Sequence, residues 1–197
     1  ASWEYGLSTE KDIFLNAFPS AVRNVLKSKI TEGMFKAEHE SQGSFTVVLH
    51  GERLSIPYRI YSDVLKFSGV DEASLLLEKA LNAFYTRHQD GFVREKALKS
   101  ILRHDDYWLI PYKIRLISEY VEKFAEIISV TLNENKKTTY ARFLTENPEF
   151  LEITNQRIAS YWNEYYRNEF PSLAEYPPKR LLMDIVRHMA WNHQNTQ

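Results

Sequence analysis

Residues 85–132 constrain the fold more than any other stretch, because helix starts and helix breaks follow one another within them. Asp90 and Gly91 predict a tight turn, since glycine adopts backbone angles that other residues avoid and an aspartate side chain bonds to the nearby backbone. Apolar residues at helical spacing follow the turn, and a long amphipathic helix is expected from Pro111 to about Leu132. The two helices are expected to lie side by side, with the rest of the chain packed against them.

The first of these helices carries a charged residue within its apolar face. Apolar side chains recur at helical spacing over residues 93–102, and on a helical wheel Arg94 lies in the middle of that face. A buried guanidinium needs a partner, because an unpaired buried charge costs about 3–5 kcal/mol. Asp90, four residues earlier, is the predicted partner, and Glu78 and Glu119 are the alternatives.

This segment resembles part of a HEAT repeat. The residues that carry the resemblance to the second helix of such a repeat are Asp90, Val93, Arg94, Ala97 and Ile101. The segment that begins Leu109-Ile110-Pro111-Tyr112 is similar to the first helix of a following repeat unit. The resemblance implies HEAT-like packing between helices. The pattern occurs once in the chain, so HEAT-like packing is expected rather than an array of repeats.

The apolar periodicity changes to two between residues 44 and 61. Apolar and polar residues alternate on both sides of His50-Gly51, which predicts a β-hairpin. Helical spacing dominates elsewhere, while the polar residues 133–137 are expected to form a surface loop before a further short helix. The predicted fold is therefore mainly α. It is a single domain over residues 1–197, with HEAT-like helix packing and one small hairpin at about residues 44–61.

Composition excludes several classes of function. The net charge of −1 does not favour nucleic acid as a partner, and the absence of cysteine excludes disulfides and thiolate metal sites. No apolar run is long enough to span a bilayer, so a cytoplasmic protein is expected. Glycine-rich phosphate loops and the common hydrolase and zinc-protease motifs are also absent. We expect neither a cofactor nor a metal.

The turn before the central helix is the first candidate site. His88, Asp90 and Arg94 could hold a proton or a metal, but a structural role is favoured, with His88 on the apolar stripe of the preceding helix. Helix junctions collect side chains from several elements. We therefore expect a small polar pocket here, with an excess of positive charge that suits a carboxylate or a phosphate. Its predicted residues are Arg59, Tyr61, Arg87, His88, Asp90, Arg94, Tyr112 and Arg115.

An aromatic segment, residues 161–167, is the second candidate site. On a regular helix Trp162 and Tyr165 share the inward face, while Tyr161 and Tyr166 flank it. The outer tyrosines are candidates for a recognition surface, since tyrosine, tryptophan and arginine dominate interface hot spots. A helix buried on nearly all sides is the alternative, and it is slightly favoured.

Three classes of function remain open. A protein-interaction module ranks first, because stacked helices without a catalytic motif most often present a surface to a protein partner. In a bacterium such a module would be an adaptor or an inhibitor of the immunity-protein type. A small enzyme or anion-binding protein that uses His88, Asp90 and Arg94 ranks second. A nucleic-acid binder ranks third, because it rests only on the exposed basic face formed by Lys96, Lys99 and Arg103.

Overall fold

The structure is a computed structural model that describes residues 9–31, 33–35 and 43–191. Within these ranges it contains nine α-helices and one two-stranded antiparallel sheet, which confirms a mainly helical fold with a small hairpin. The helices are α1 Glu10–Asn16, α2 Ser20–Leu26, α3 Glu72–Tyr85, α4 Gly91–Ile101, α5 Ile110–Ile117, α6 Lys123–Ser129, α7 Glu134–Glu146, α8 Pro148–Tyr161 and α9 Pro177–Trp191. The strands are β1 Ser44–Leu49 and β2 Glu52–Pro57.

The chain divides into two compact units, Ala1–Ala97 and Leu98–Gln197, and the boundary falls within α4. The first unit contains α1, α2, the hairpin and α3. The second contains α5 to α9. That the whole chain is one domain with HEAT-like packing stays a prediction.

Phenylalanine rings form the centre of the first unit. The ring of Phe14 in α1 lies 4.9 Å from that of Phe18, 4.7 Å from Phe35 and 5.0 Å from Phe84 in α3, measured between centroids. Aromatic pairs at these separations add about 0.5–1.5 kcal/mol each beyond the burial of their surface. α1 also packs against β2, and α2 packs against α3.

The hairpin forms as predicted, with His50 and Gly51 at its turn. Both residues have positive φ, 49° and 84°, as a two-residue turn of type I′ requires. Phe45 pairs with Ile56 and Val47 with Leu54, so that the buried side chains of both strands share one face. Burial of this apolar face stabilises the hairpin, which would be only marginally stable in isolation.

Helix α5 lies inside the second unit. All eight of its residues are buried, among them Lys113 and Arg115. α5 contacts α6, α7, α8 and α9, and α9 in turn packs against α6, α7 and α8. The structure thus places two cationic side chains on a helix that is covered on every face.

The long helix predicted from Pro111 to about Leu132 is two helices, α5 and α6. The Ser118 hydroxyl donates to the carbonyl of Arg115 at 3.0 Å, and the Ser118 and Glu119 amides donate to carbonyls three residues back. A serine side chain that bonds the backbone competes with the four-residue spacing of an α-helix. The chain therefore turns after Ile117, although apolar residues continue on both sides of the break.

The predicted loop over residues 133–137 is wrong, because α7 already begins at Glu134. The Asn133 side chain accepts a hydrogen bond from the Lys136 amide at 2.9 Å and so caps the helix. Asparagine is among the best residues at this position, and a polar first turn is normal on an exposed helix start. The polar composition of residues 133–137 therefore indicates the exposed start of a helix and not a loop.

A charged network joins α7 to α9. Glu134 accepts a hydrogen bond from Nε2 of His188 at 2.8 Å, and Nδ1 of the same ring lies 2.9 Å from the carbonyl of Asp184. Both partners are acceptors, so the positively charged imidazole, with a proton on each ring nitrogen, is the form that satisfies both contacts. The bond with Glu134 raises the pKa of His188 above its ordinary 6.5. Lys137 bonds to both Glu134 and Asp184 at the same place.

We predict that His188 stabilises the fold in a pH-dependent way. Because its pKa is raised in the folded state, its contribution is fully present below pH 6.5 and is lost as the pH rises through the raised value. The melting temperature of wild type should exceed that of His188→Gln at pH 5.5 to 6 and approach it by pH 9. The exposed Arg187→Gln variant is the control. Its difference from wild type should not vary over this range, and a pH-independent His188→Gln difference would contradict the prediction.

Candidate functional site

The end of the hairpin lies on the turn that follows α3. Ile60 forms a parallel bridge with His88: its amide donates to the carbonyl of Arg87 at 3.0 Å, and its carbonyl accepts the Gln89 amide at 3.0 Å. Arg59 and Tyr61 flank Ile60 in the chain and are both half-buried. The segment that follows β2 is therefore bonded to the turn through the backbone.

His88 lies beyond the end of α3 rather than on its apolar stripe. Its Nε2 is 2.8 Å from the carbonyl of Ser62, and its Nδ1 is 3.0 Å from the amide nitrogen of Asp90. An acceptor on one side and a donor on the other require a neutral ring that is protonated at Nε2. Both ring nitrogens are bonded to the backbone, and the residue is only 7% exposed.

Arg87 and Arg94 are also bonded to main-chain carbonyls. Arg87 is 1% exposed, and its guanidinium donates to the carbonyl of Tyr58 at 2.7 Å and to that of Pro57 at 3.3 Å. Arg94 is buried as predicted, and its Nη1 donates to the carbonyls of His88 and Gln89, both at 2.8 Å. These bonds tie the turn to the hairpin and to the first turns of α4.

The ion pair predicted between Asp90 and Arg94 is not among the contacts of Asp90 in the described residues. The Asp90 carboxylate instead accepts the amide of Phe92 at 2.8 Å and caps the start of α4. The Asp90 carbonyl accepts the Arg94 amide at 3.1 Å. Asp90 and Arg94 are therefore joined by a backbone hydrogen bond of the helix rather than by their side chains. The Asp90 side chain caps the helix, as is usual for an aspartate directly before a helix.

Tyr112 and Arg115 belong to the second unit, where both are buried within α5. Their predicted approach to the turn of the first unit stays a prediction. The basic residues Lys96, Lys99 and Arg103 are exposed on α4 and directly after it, as the wheel predicted.

Tyrosine rings gather on the second unit, in a group that we call the tyrosine cluster: Tyr120, Tyr161, Tyr165 and Tyr166. The ring of Tyr120 lies 6.1 Å from that of Tyr161, 4.8 Å from Tyr165 and 6.1 Å from Tyr166. The Tyr166 hydroxyl donates to the Tyr120 carbonyl at 2.8 Å. Tyr120 is 49% exposed and Tyr165 57% exposed. The cluster is thus internally packed and open to solvent.

The inward direction predicted for Tyr165 is wrong, and a π-helix explains the error. Residues Trp162–Tyr166 adopt this wider helix after α8, so the wheel of 3.6 residues per turn no longer applies. The sequence indicated Tyr161 and Tyr166 as candidates, and the structure places Tyr165 and Tyr120 in the same group of rings. Nothing in the sequence links Tyr120 to this segment, since the contact depends on how the chain turns between α5 and α6.

An open groove runs between α6 and α9, with a volume of about 1060 Å³. Its walls carry both signs of charge, on Glu122, Lys123, Glu126, Lys179, Arg180, Asp184 and Arg187. Burial raises the pKa of Glu122, as do the nearby negative charges of Glu169 and Glu126. Within the described part of the chain, Oε2 of Glu122 is buried without a hydrogen-bond partner. Glu122 also adjoins the tyrosine cluster, because its charge acts on Tyr166.

No protein-family model, no curated protein and no solved structure matches this chain. The resemblance to a HEAT repeat is therefore carried by the short sequence pattern alone. None of the helices that the structure describes is long and apolar enough to cross a lipid bilayer.

We predict that Arg94 stabilises the turn. Arg94→Ala should lower the free energy of unfolding by about 2–4 kcal/mol, because two carbonyls lose a charged donor in a buried place. Lys96→Ala, at an exposed position of the same helix, should change it by no more than about 0.5 kcal/mol. Urea unfolding of both variants measures this. Two equally small effects would mean that the Arg94 bonds contribute little.

Proposed function

We propose that this protein is a protein-interaction module, and that its second unit binds a protein partner through the tyrosine cluster. The observation that carries the proposal is the cluster itself, in which three rings surround that of Tyr120 and two of the four residues are about half exposed. Tyrosine presents a large surface at a low cost in conformational entropy, and hot spots of interfaces are rich in it.

Contacts between the rings favour a binding surface, because they hold the exposed side chains in place. Tyr120 and Tyr166 are joined by a hydrogen bond as well as by their rings, and Arg157 stacks over Tyr161 at 5.5 Å. Side chains that are already held in place lose little freedom when a partner binds. A π-helix at Trp162–Tyr166 is a further supporting feature, since such segments occur frequently at functional sites.

The groove beside the cluster suggests which part of a partner binds there. Its two walls carry both carboxylates and basic groups, which suits a polypeptide segment with both signs of charge. Glu122 lies where groove and cluster meet and has a buried oxygen without a partner among the described residues. A lysine or arginine from the bound segment would pair with this oxygen and recover the cost of its burial.

The alternative, a small enzyme or anion-binding protein at His88, Asp90 and Arg94, receives less support. A catalytic imidazole needs a nitrogen that can reach substrate, and both nitrogens of His88 bond to the backbone. The Arg94 guanidinium is directed to two carbonyls, and the Asp90 carboxylate caps α4. These bonds favour a structural role for the group.

Site-specific photo-crosslinking tests the proposal. We predict that p-benzoylphenylalanine in place of Tyr165 captures a specific protein in the native cell extract, whereas the same probe in place of Val130 does not. Val130 is a matched control, because it lies in the second unit and is 81% exposed. Excess unlabelled wild type should abolish the capture.

Competition with a double variant makes the test quantitative. Tyr120→Ala with Tyr165→Ala should compete at least about tenfold more weakly than wild type, since a hot-spot residue contributes about 2 kcal/mol or more. An unchanged far-ultraviolet circular dichroism spectrum would show that the variant is folded. Equal capture at positions 165 and 130, or undiminished competition by the double variant, would refute the proposed surface.

A further inference from the structure

A second cavity of the second unit, of about 330 Å³, lies between the start of α5 and the start of α7. It is lined by Asp105, which precedes α5, by Lys113 of α5, by the capping residue Asn133 and by Asn135, Lys136 and Tyr140 of α7. The cavity shares no residue with the tyrosine cluster or with the groove. A ligand in this cavity would therefore be separate from the protein partner of the proposed function.

Lys113 is the unusual residue of this cavity. Its side chain lies at the wall of the cavity, although the residue is only 2% exposed. The ammonium group has three donors, and one of them bonds to the carbonyl of His104 at 2.6 Å. No other hydrogen bond of Lys113 is present within the described residues. Burial lowers the pKa of Lys113 to about 8, although the negative charges of Asp105 and Asp106 act in the opposite direction.

Tyr140 supplies a second donor. Its ring lies 6.0 Å from the Lys113 ammonium, and the residue is 4% exposed. Its hydroxyl has no hydrogen-bond partner in the described part of the chain. Because Tyr140 lines the cavity, this hydroxyl is available to donate to a molecule bound there.

The cavity also contains the start of α7, whose thirteen residues give it the positive end of a helix dipole. The amide of Lys136 is taken by the Asn133 side chain and that of Lys137 by the Asn133 carbonyl. The amides of Glu134 and Asn135 precede these and have no such partner within the helix. Backbone donors at a helix start favour anions.

The carboxylate of Asp105 does not neutralise Lys113. It is paired with Lys136, with 2.9 Å between Oδ1 and Nζ. That pair lowers the pKa of Asp105, so the carboxylate stays ionised and its charge is balanced by Lys136. Asp105 and Asp106 both attract the charge of Lys113, but within the described residues neither carboxylate forms an ion pair with its ammonium group.

We propose that this cavity binds the oxyanion group of a small molecule, a carboxylate or a phosphate, with Lys113 as its counter-ion and Tyr140 as a second donor. The helix start of α7 supplies further donors. A volume of about 330 Å³ is at the small end of the range for ligand sites and accommodates a small metabolite rather than a nucleotide-sized cofactor.

Calorimetric titration of the full chain at pH 7 and low ionic strength tests this, with inorganic phosphate and with succinate as separate probes. We expect saturable binding of at least one of them, and the stronger probe identifies the type of oxyanion. Lys113→Met should weaken binding about tenfold or more, because it removes a charged donor. Tyr140→Phe should weaken it about threefold. Lys96→Met, at an exposed lysine, should bind like wild type.

Amide resonances report where the probe binds. At saturation we expect the largest shifts at Asn135 and Lys136, and Tyr140→Phe should remain informative even where Lys113→Met fails to fold. Absence of saturable binding to wild type at millimolar concentrations of both probes would overturn the proposal. Unchanged affinity in both Lys113→Met and Tyr140→Phe, or shifts confined to other parts of the chain, would do the same.

Discussion

The burial of α5 on all sides is the constraint on which the second unit depends. Eight consecutive residues are removed from solvent, so α6, α7, α8 and α9 must cover every face of one short helix. Most of the covered surface is apolar, but Lys113 and Arg115 are buried with it. Bringing a charge out of water is costly unless it is paired. The carbonyl of His104 offsets part of this cost for Lys113, and the cavity beside it offers room for an anion.

In the first unit, buried cationic and polar side chains form hydrogen bonds to the backbone. Arg87, His88 and Arg94 all bond to main-chain groups around one turn, and this turn joins α3 to α4 and to the end of the hairpin. Carbonyls at a turn lack regular secondary-structure partners, and buried ones must find donors. Long side chains with several donors meet this need. Their presence at a helix junction is therefore a consequence of folding as much as a sign of chemistry.

Both proposed sites of the second unit are attached to α5. Lys113 lies within the helix, and Tyr120 follows its end after the turn that begins at Ser118. The break after Ile117 thus has a direct consequence, because it brings Tyr120 out to the tyrosines that follow α8. In a continuous helix through this point, the direction of the Tyr120 side chain would be set by the helical period of α5. Helix breaks position functional side chains in this way because they release them from a single periodic face.

The sequence alone determined the helical class, the hairpin with its His50-Gly51 turn, and the burial of Arg94, because each follows from periodicity or from the backbone preference of a few adjacent residues. It also indicated Tyr161 and Tyr166. It did not determine the bonds of Arg94 to main-chain carbonyls, the break after Ile117, or the outward direction of Tyr165 in the π-helix. Contacts between Tyr120 and the tyrosines after α8, and between Lys113 and the start of α7, join residues that are far apart in the chain. Only the tertiary structure decided these, since local spacing carries no information about which distant segments pack together.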